Sequence, residues 1–128
     1  METAEMVVDT GIFIEYLRAK DKKKSTLFAI ADSTQLFISS FTMYELLMGA
    51  TDENKHKDIK LLTEDIPVLP FDEGVSKKAA EIYHELRRGN KMIEFRDVFI
   101  AATCLTFELP LKTLNKKHFE RVKGLDIQ

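Results

Sequence analysis

The stretch Met6-Val7-Val8-Asp9-Thr10-Gly11-Ile12-Phe13-Ile14-Glu15-Tyr16-Leu17 decides the fold. Met6-Val7-Val8 is a short apolar run of strand character. Ile12, Phe13, Tyr16 and Leu17 then fall on one face of a helix. Asp9 and Thr10 stand at the join between them.

The same alternation continues outward. Residues 21–24 read as a charged turn, followed by a short helix carrying Leu27, Phe28, Ile30 and Ala31. Leu36-Phe37-Ile38 is a second strand. Ser39, Ser40 and Thr42 offer N-caps to a helix with Met43, Leu46 and Leu47. Ile59, Leu62 and Ile66 predict another helix, which leads into a short strand at Val68-Leu69. Asp72 caps the clearest helix, with Val75, Ala79, Ile82, Tyr83 and Leu86 on one stripe and Gly89 as its stop.

After a loop over 90–96, an almost wholly apolar helix is expected over 97–107, with Asp97 opening it. Leu109-Pro110-Leu111 gives a fourth strand, and a short helix over 116–122 precedes a last extended piece at Leu125. Strands alternating with helices specify an α/β fold: one domain over 1–128, with a central, mostly parallel sheet of four to five strands flanked by helices.

Composition bounds the rest. At 128 residues, 45% hydrophobic and 31% charged, the chain is expected to be a soluble globular unit with a real core. A net charge of −2 argues against a DNA-coating protein and leaves room for a local basic patch. Cys104 has no second thiol to pair with, and His56, His84 and His118 are scattered, so neither a disulfide nor a structural zinc is expected. No apolar run reaches the roughly 20 residues that span a bilayer. Met1-Glu2-Thr3-Ala4-Glu5 has no signal-peptide character. The expected location is the cytoplasm.

In an open parallel sheet, ligands bind at the carboxyl ends of the strands. Asp9 and Thr10 fall there, as do Thr113 and Asn115 after the fourth strand; Asp97 opens the buried helix, and Glu45 lies one turn into the helix after the second strand. Three carboxylates in one cleft repel one another unless a cation neutralises them. Oxygen donors without His or Cys select a hard ion, Mg²⁺ or Mn²⁺. Such a site activates water against a phosphodiester.

Plainer readings stand beside this one. Asp9 and Asp97 are also good helix caps. Glu45 is harder to explain that way, because it interrupts an apolar helical stretch. Over 110–124, Lys112, Lys116, Lys117, Arg121 and Lys123 face the single acid Glu120, a cluster suited either to an RNA backbone or to plain solvation. Residues 22–24 read as an exposed turn, His118 as a surface histidine that could otherwise touch substrate, and Cys104 as a small core residue.

Val7-Val8-Asp9-Thr10-Gly11-Ile12-Phe13-Ile14 resembles the start of PIN-domain ribonucleases, in which an Asp-Thr pair ends the first strand. Ser-Ser-Phe-Thr-Met-Tyr-Glu-Leu-Leu-Met-Gly over 39–49 is similar to their second motif. Arg-Asp-Val-Phe-Ile-Ala-Ala-Thr-Cys-Leu over 96–105 is similar to the third, and Leu-Pro-Leu-Lys-Thr-Leu-Asn-Lys-Lys-His-Phe over 109–119 to the fourth. Length and the Glu-Leu-x-x-Gly pattern look most like the VapC-type ribonuclease toxins of VapBC toxin–antitoxin pairs. The resemblance implies a Mg²⁺- or Mn²⁺-dependent endoribonuclease with RNA as substrate, a VapB-like antitoxin as partner, and a homodimer. It makes Asp9 and Asp97 direct metal ligands and Glu45 a water-mediated ligand or base. Thr10 and Thr113 support them, and Asn115 completes the cluster where many members carry Asp.

Two other classes remain open on the sequence. One is a receiver-like domain with Asp72 as phospho-acceptor, against which stands the single Asp9 where an acidic pair is expected. The other is a binding module that keeps the fold without the chemistry.

Overall fold

The computed structural model describes residues 4–128; of the acidic start, residues 1–3 lie outside the described residues. The elements in chain order are β1 (Glu5–Val8), α1 (Thr10–Arg18), α2 (Thr26–Ala29), β2 (Gln35–Ser39), α3 (Ser40–Met48) and α4 (Glu53–Thr63). They are followed by β3 (Val68–Leu69), α5 (Glu73–Arg88), α6 (Phe95–Thr106), β4 (Leu111–Lys112) and α7 (Lys116–Phe119). A single 3₁₀ turn at Lys22–Lys24 takes the place of the expected charged turn.

The four strands form one sheet in the order β3-β2-β1-β4, and every pairing is parallel. β1 is central, with Val7 opposite Phe37 on one side and Leu111 on the other. Side chains alternate across a strand, so the unbroken Met6-Val7-Val8 run serves two cores. Val7 joins Val75, Ile82, Ile100, Leu111 and Phe119 beneath α5, α6 and α7. Met6 and Val8 join Ile12, Phe13, Ile38, Leu46 and Ile59 beneath α1, α3 and α4.

Caps set most boundaries. Asp9, Ser39, Asp52 and Asp72 each accept a hydrogen bond from a backbone N–H of the helix that follows. Several expectations shift. α2 ends at Ala29, so Ile30 and Ala31 lie beyond it. α6 begins at Phe95, with Glu94 in the cap position, so Asp97 is its third residue and not its opening one. α7 stops at Phe119, short of 122. Ile66 lies beyond α4. The fourth strand begins at Leu111, because Pro110 has no N–H to place in a ladder, although its carbonyl accepts from Val7 at 2.9 Å. The last extended piece meets the sheet at Ile127, two residues beyond Leu125, in one parallel bridge to Leu111. Gly124, at φ +80°, makes the preceding turn.

Phe119 is fully buried and Phe28 is 57% exposed. Phe119→Ala should cost about 3–5 kcal/mol of unfolding free energy in urea titration. Phe28→Ser should stay within about 0.5 kcal/mol.

Candidate active site

The sheet order places a crevice at the carboxyl end of β1, where the chain leaves in one direction toward β2 and is joined on the other side by β4. A cleft of about 490 Å³ opens there. Asp9, Glu45, Glu94, Arg96, Asp97 and His118 supply its charged or titratable lining, and Thr10, Asn115 and Leu114 line it too. The residues proposed from sequence as Asp9, Thr10, Glu45, Asp97 and Asn115 therefore share one cavity, with Thr113 buried just behind Asp9.

Asp9 ends β1 and caps α1. Its Oδ1 accepts from Thr10 N at 2.8 Å and its Oδ2 from the Thr113 hydroxyl at 2.7 Å. Thr113 Oγ1 in turn accepts from Asn115 N at 3.0 Å, which fixes the turn after β4. Asp9 thus caps and lines the cleft at once. Asp97 does not cap its helix; it is buried, and its Oδ2 lies 3.4 Å from His118 Nδ1. Asn115 is exposed and bonds His118 Nδ1 through Nδ2 at 2.8 Å.

Glu45 comes from α3. Its Oε1 accepts from Thr10 Oγ1 at 2.8 Å, and its Oε2 lies 3.5 Å from the Arg96 guanidinium. Thr10 Oγ1 also lies 2.9 Å from Thr42 Oγ1, which accepts from Ser39 Oγ at 3.1 Å. Each hydroxyl has one proton. Because Thr10 gives its proton to Glu45, Thr42 must donate to Thr10 and Ser39 to Thr42.

Burial raises the Asp9 carboxyl above its ordinary value; the bonds from Thr113 and Thr10 pull the other way, and the charges of Asp97 and Glu45 push further up. Burial also raises Asp97, against the opposing pull of His118 and Arg96. The Arg96 guanidinium is held still more firmly charged, first by Glu94.

Among the described residues, no three His, Cys, Asp or Glu side chains stand close enough to enclose an ion as they are oriented. Each carboxylate is turned to a partner of its own: Asp9 to threonine and backbone, Glu45 to Thr10 and Arg96, Asp97 to His118. The donor set nevertheless fits a hard divalent cation, with oxygen ligands from carboxylates and hydroxyls and two carboxylates whose charge is disfavoured by burial.

Sequence reasoning overlooked three contributors. The sequence reads His118 first as a surface side chain, yet its Nδ1 lies within reach of both Asp97 Oδ2 and the Asn115 amide, and can bond one of them at a time. Arg96 passed as part of a motif, and Thr42 as a cap candidate. A signal for His118 was its position three residues after Asn115, one helical turn away. The basic cluster is not part of the lining. Lys116 and Lys117 are exposed on α7 next to Asn115; Lys112 is half-buried in β4. Arg121 is tied to Met92 O at 3.0 Å, and Lys123 lies 3.8 Å from Glu85.

A raised carboxyl pKa means that the folded protein binds more protons than the unfolded chain between the two values, so stability falls as pH rises through that window. Asp9 and Asp97 therefore oppose folding at neutral pH and stop doing so below the ordinary carboxyl value of 3.8. In EDTA at pH 7, Asp9→Asn should raise Tm, since it removes a buried charge while Oδ1 still accepts from Thr10 N and Nδ2 can donate to Thr113 Oγ1 in place of the bond it received. The gain should vanish near pH 3.5 in thermal scans.

Residues 6–125 match the PIN domain family. Ribonuclease VapC1 of Methanocaldococcus jannaschii is 30% identical over 127 residues, which cover 99% of this chain and 88% of the relative. Ribonuclease VapC of Rickettsia bellii is 32% identical over 129 residues, covering 95% and 93%. The solved DNA-bound VapBC of Salmonella typhimurium superimposes with a TM-score of 0.86 at 26% identity, over 98% of this chain and 97% of that one. Since the matched span runs from the central strand past the last helix and so takes in every residue of the cleft, the chain belongs to the PIN-domain family, in the branch that holds the VapC proteins.

Proposed function

We propose that this chain is a divalent-metal-dependent endoribonuclease and the toxin of a VapBC-type pair, built as a single PIN-like domain over 1–128. The observation that carries the reading is the convergence of Asp9, Glu45 and Asp97, from three separate elements, on one cleft of a chain related to named ribonucleases. Asp9 and Asp97 would hold a Mg²⁺ or Mn²⁺ ion, with Glu45 as a further or water-mediated ligand. When bound, that ion supplies charge neutralisation on the phosphodiester and polarises water for in-line attack.

The chain's own groups do the rest. Thr113 and Thr10 N hold the Asp9 carboxylate toward the cleft. Thr10, backed by Thr42 and Ser39, holds Glu45 at the mouth, where Oε2 can accept a proton from the attacking water. Water oxygen bonds to phosphorus as the P–O3′ bond breaks, and the departing O3′ takes a proton from solvent, leaving a 5′-phosphate and a 3′-hydroxyl. Asn115 takes the place of a fourth acid and lowers the negative charge that RNA meets. Lys116 and Lys117 on α7, with Lys112 and Arg121 farther off, would contact the strand outside the cleft.

Two surfaces support the proposed partners. One open groove is lined by Tyr16, Leu27, Phe28 and Leu62, and a second has walls, Ile14, Glu45 and Gly49, that also belong to the cleft of the acids. A VapB-like antitoxin seated in the second groove would reach the acids, and likeness to the VapBC structures of Haemophilus influenzae and Salmonella typhimurium supports such a partner. On another side, Phe41, Phe71 and Phe99 pack edge to face, with Tyr44 57% and Phe95 71% exposed beside them. That apolar face suits a homodimer. No helix among the described residues is long and apolar enough to cross a membrane; the cytoplasm is the location proposed here.

The Asp72 carboxylate accepts from Val75 N at 3.0 Å and caps α5, away from the cleft. A phospho-acceptor role for it is not retained.

Asp9→Asn and Asp97→Asn should lower RNA cleavage by roughly 10²-fold or more, because even outer-shell partners of a metal cost about 10–100-fold. Mg²⁺ should raise the Tm of the wild type and not that of Asp9→Asn. A 2′,3′-cyclic phosphate product, or cleavage that persists in EDTA, would sink the reading. Light scattering should give a mass twice 14.7 kDa.

A further inference from the structure

Arg96 stands where helix energetics argue against it. It is the second residue of α6, in the turn where the unpaired N–H groups carry positive partial charge and a cation is unfavourable. Glu94, in the cap position, makes no side-chain cap bond to the helix. Its carboxylate is spent on Arg96 instead, with Oε2 2.9 Å from Nε. Two positions that would ordinarily serve the helix are given over to holding a guanidinium at the edge of the cleft.

The grip is uneven. Glu94 holds Nε closely, whereas Glu45 lies 3.5 Å from Nη1. The Arg96 side chain is 53% exposed, so it can pivot about the Glu94 contact without leaving a protein core. Besides His118 it is the cleft's single basic side chain, set among four acids. A solvent-exposed ion pair contributes little stability, so the pairing alone does not explain the cost to the helix. A planar guanidinium fixed at Nε presents its two Nη groups as a fork suited to the paired oxygens of a phosphate.

Resting on the ribonuclease reading, we propose that Arg96 is the phosphate-contacting side chain of the cleft and that Glu94 is its positioning residue. Arg96 turns from Glu45 to a non-bridging phosphate oxygen of the bound strand, while Glu94 keeps the fork aimed. Glu45 is thereby released to face water or the ion when RNA arrives.

The test is fluorescence anisotropy of a labelled single-stranded RNA 12-mer in EDTA, so that binding is read without cleavage, across a salt series. Arg96→Gln should raise Kd about three- to tenfold and flatten the slope of log K against log salt by about 0.7, the loss of one phosphate contact on a single strand. Arg96→Lys should fall between the two, because a point charge replaces the fork. Glu94→Gln carries the sign that decides. Removing an acid near RNA should tighten binding by charge alone, whereas loss of the Arg96 anchor should weaken it. Lys60→Gln, exposed on α4 and outside the cleft lining, should change Kd less than about twofold. Thermal scans should leave the Glu94→Gln and Arg96→Gln melting temperatures near that of the wild type. An unchanged Kd in Arg96→Gln, or tighter binding in Glu94→Gln, overturns the proposal while leaving the nuclease reading in place. A wild type that binds no RNA in EDTA overturns the proposal; one that also fails to cleave RNA with Mg²⁺ overturns both.

Discussion

Burying carboxylates at the open edge of a parallel sheet is the constraint on which the rest of this structure depends. Asp9 is 8% and Asp97 6% exposed, and both are pushed toward neutrality by the loss of water. Such groups persist only where hydrogen bonds offset part of the cost. β4 therefore has to deliver Thr113 to Asp9 across 104 residues of sequence. The pairing of Val8 with Lys112, and the bond from Asp9 N to Lys112 O at 2.9 Å, fix that delivery. The two-residue β4 is short, but its register sets the geometry of the cleft. The bridge from Leu111 to Ile127 secures it from the outer side.

The sheet order explains why these acids meet at all. With β1 central and every neighbour parallel, each strand ends at the same edge, and each following helix starts there. Asp9 leads into α1, Ser39 into α3 and Thr113 toward α7. α6 follows no strand, yet its first turn lies at the same edge, because the helix is buried over most of its length between sheet and neighbours. Its apolar run, from Val98 to Cys104, is what brings Asp97 into register with Asp9. Packing and chemistry are thus carried by the same helix, on adjacent turns.

Much of this was legible in the sequence, for identifiable reasons. Apolar runs followed by amphipathic stretches report the βα alternation directly, and the caps Asp9, Ser39 and Asp72 mark three helix starts. Boundaries went astray where no side-chain cap speaks. Glu94 caps α6 without a side-chain bond, so its first turn was read as loop. The acids of the cleft were readable because a carboxylate inside apolar sequence demands a reason. Arg96 and His118 were not, since a lone basic residue in a polar stretch of sequence is ordinary in any chain. Their meaning lies in partners 51 and 21 residues away, Glu45 and Asp97, which only the fold brings within reach.

The hydroxyl chain on α1 and α3 shows how finely the site is specified once the fold exists. Ser39 caps α3 through Oγ and still has its proton to give to Thr42. Thr42 passes its proton toward Thr10, and Thr10 donates to Glu45. Every donor points one way, and the carboxylate at the end accepts without offering a proton in return. A valine at 42 would keep the shape and the burial but leave Thr10 without its donor. A glutamine at 45 would satisfy Thr10 only through its carbonyl oxygen and turn its amide toward the Arg96 guanidinium, two donors facing each other. The network is therefore matched to an acceptor at Glu45 and to a cation opposite it. Here the cation is Arg96; a divalent ion brought to the same acids would meet a side chain already held in its accepting orientation.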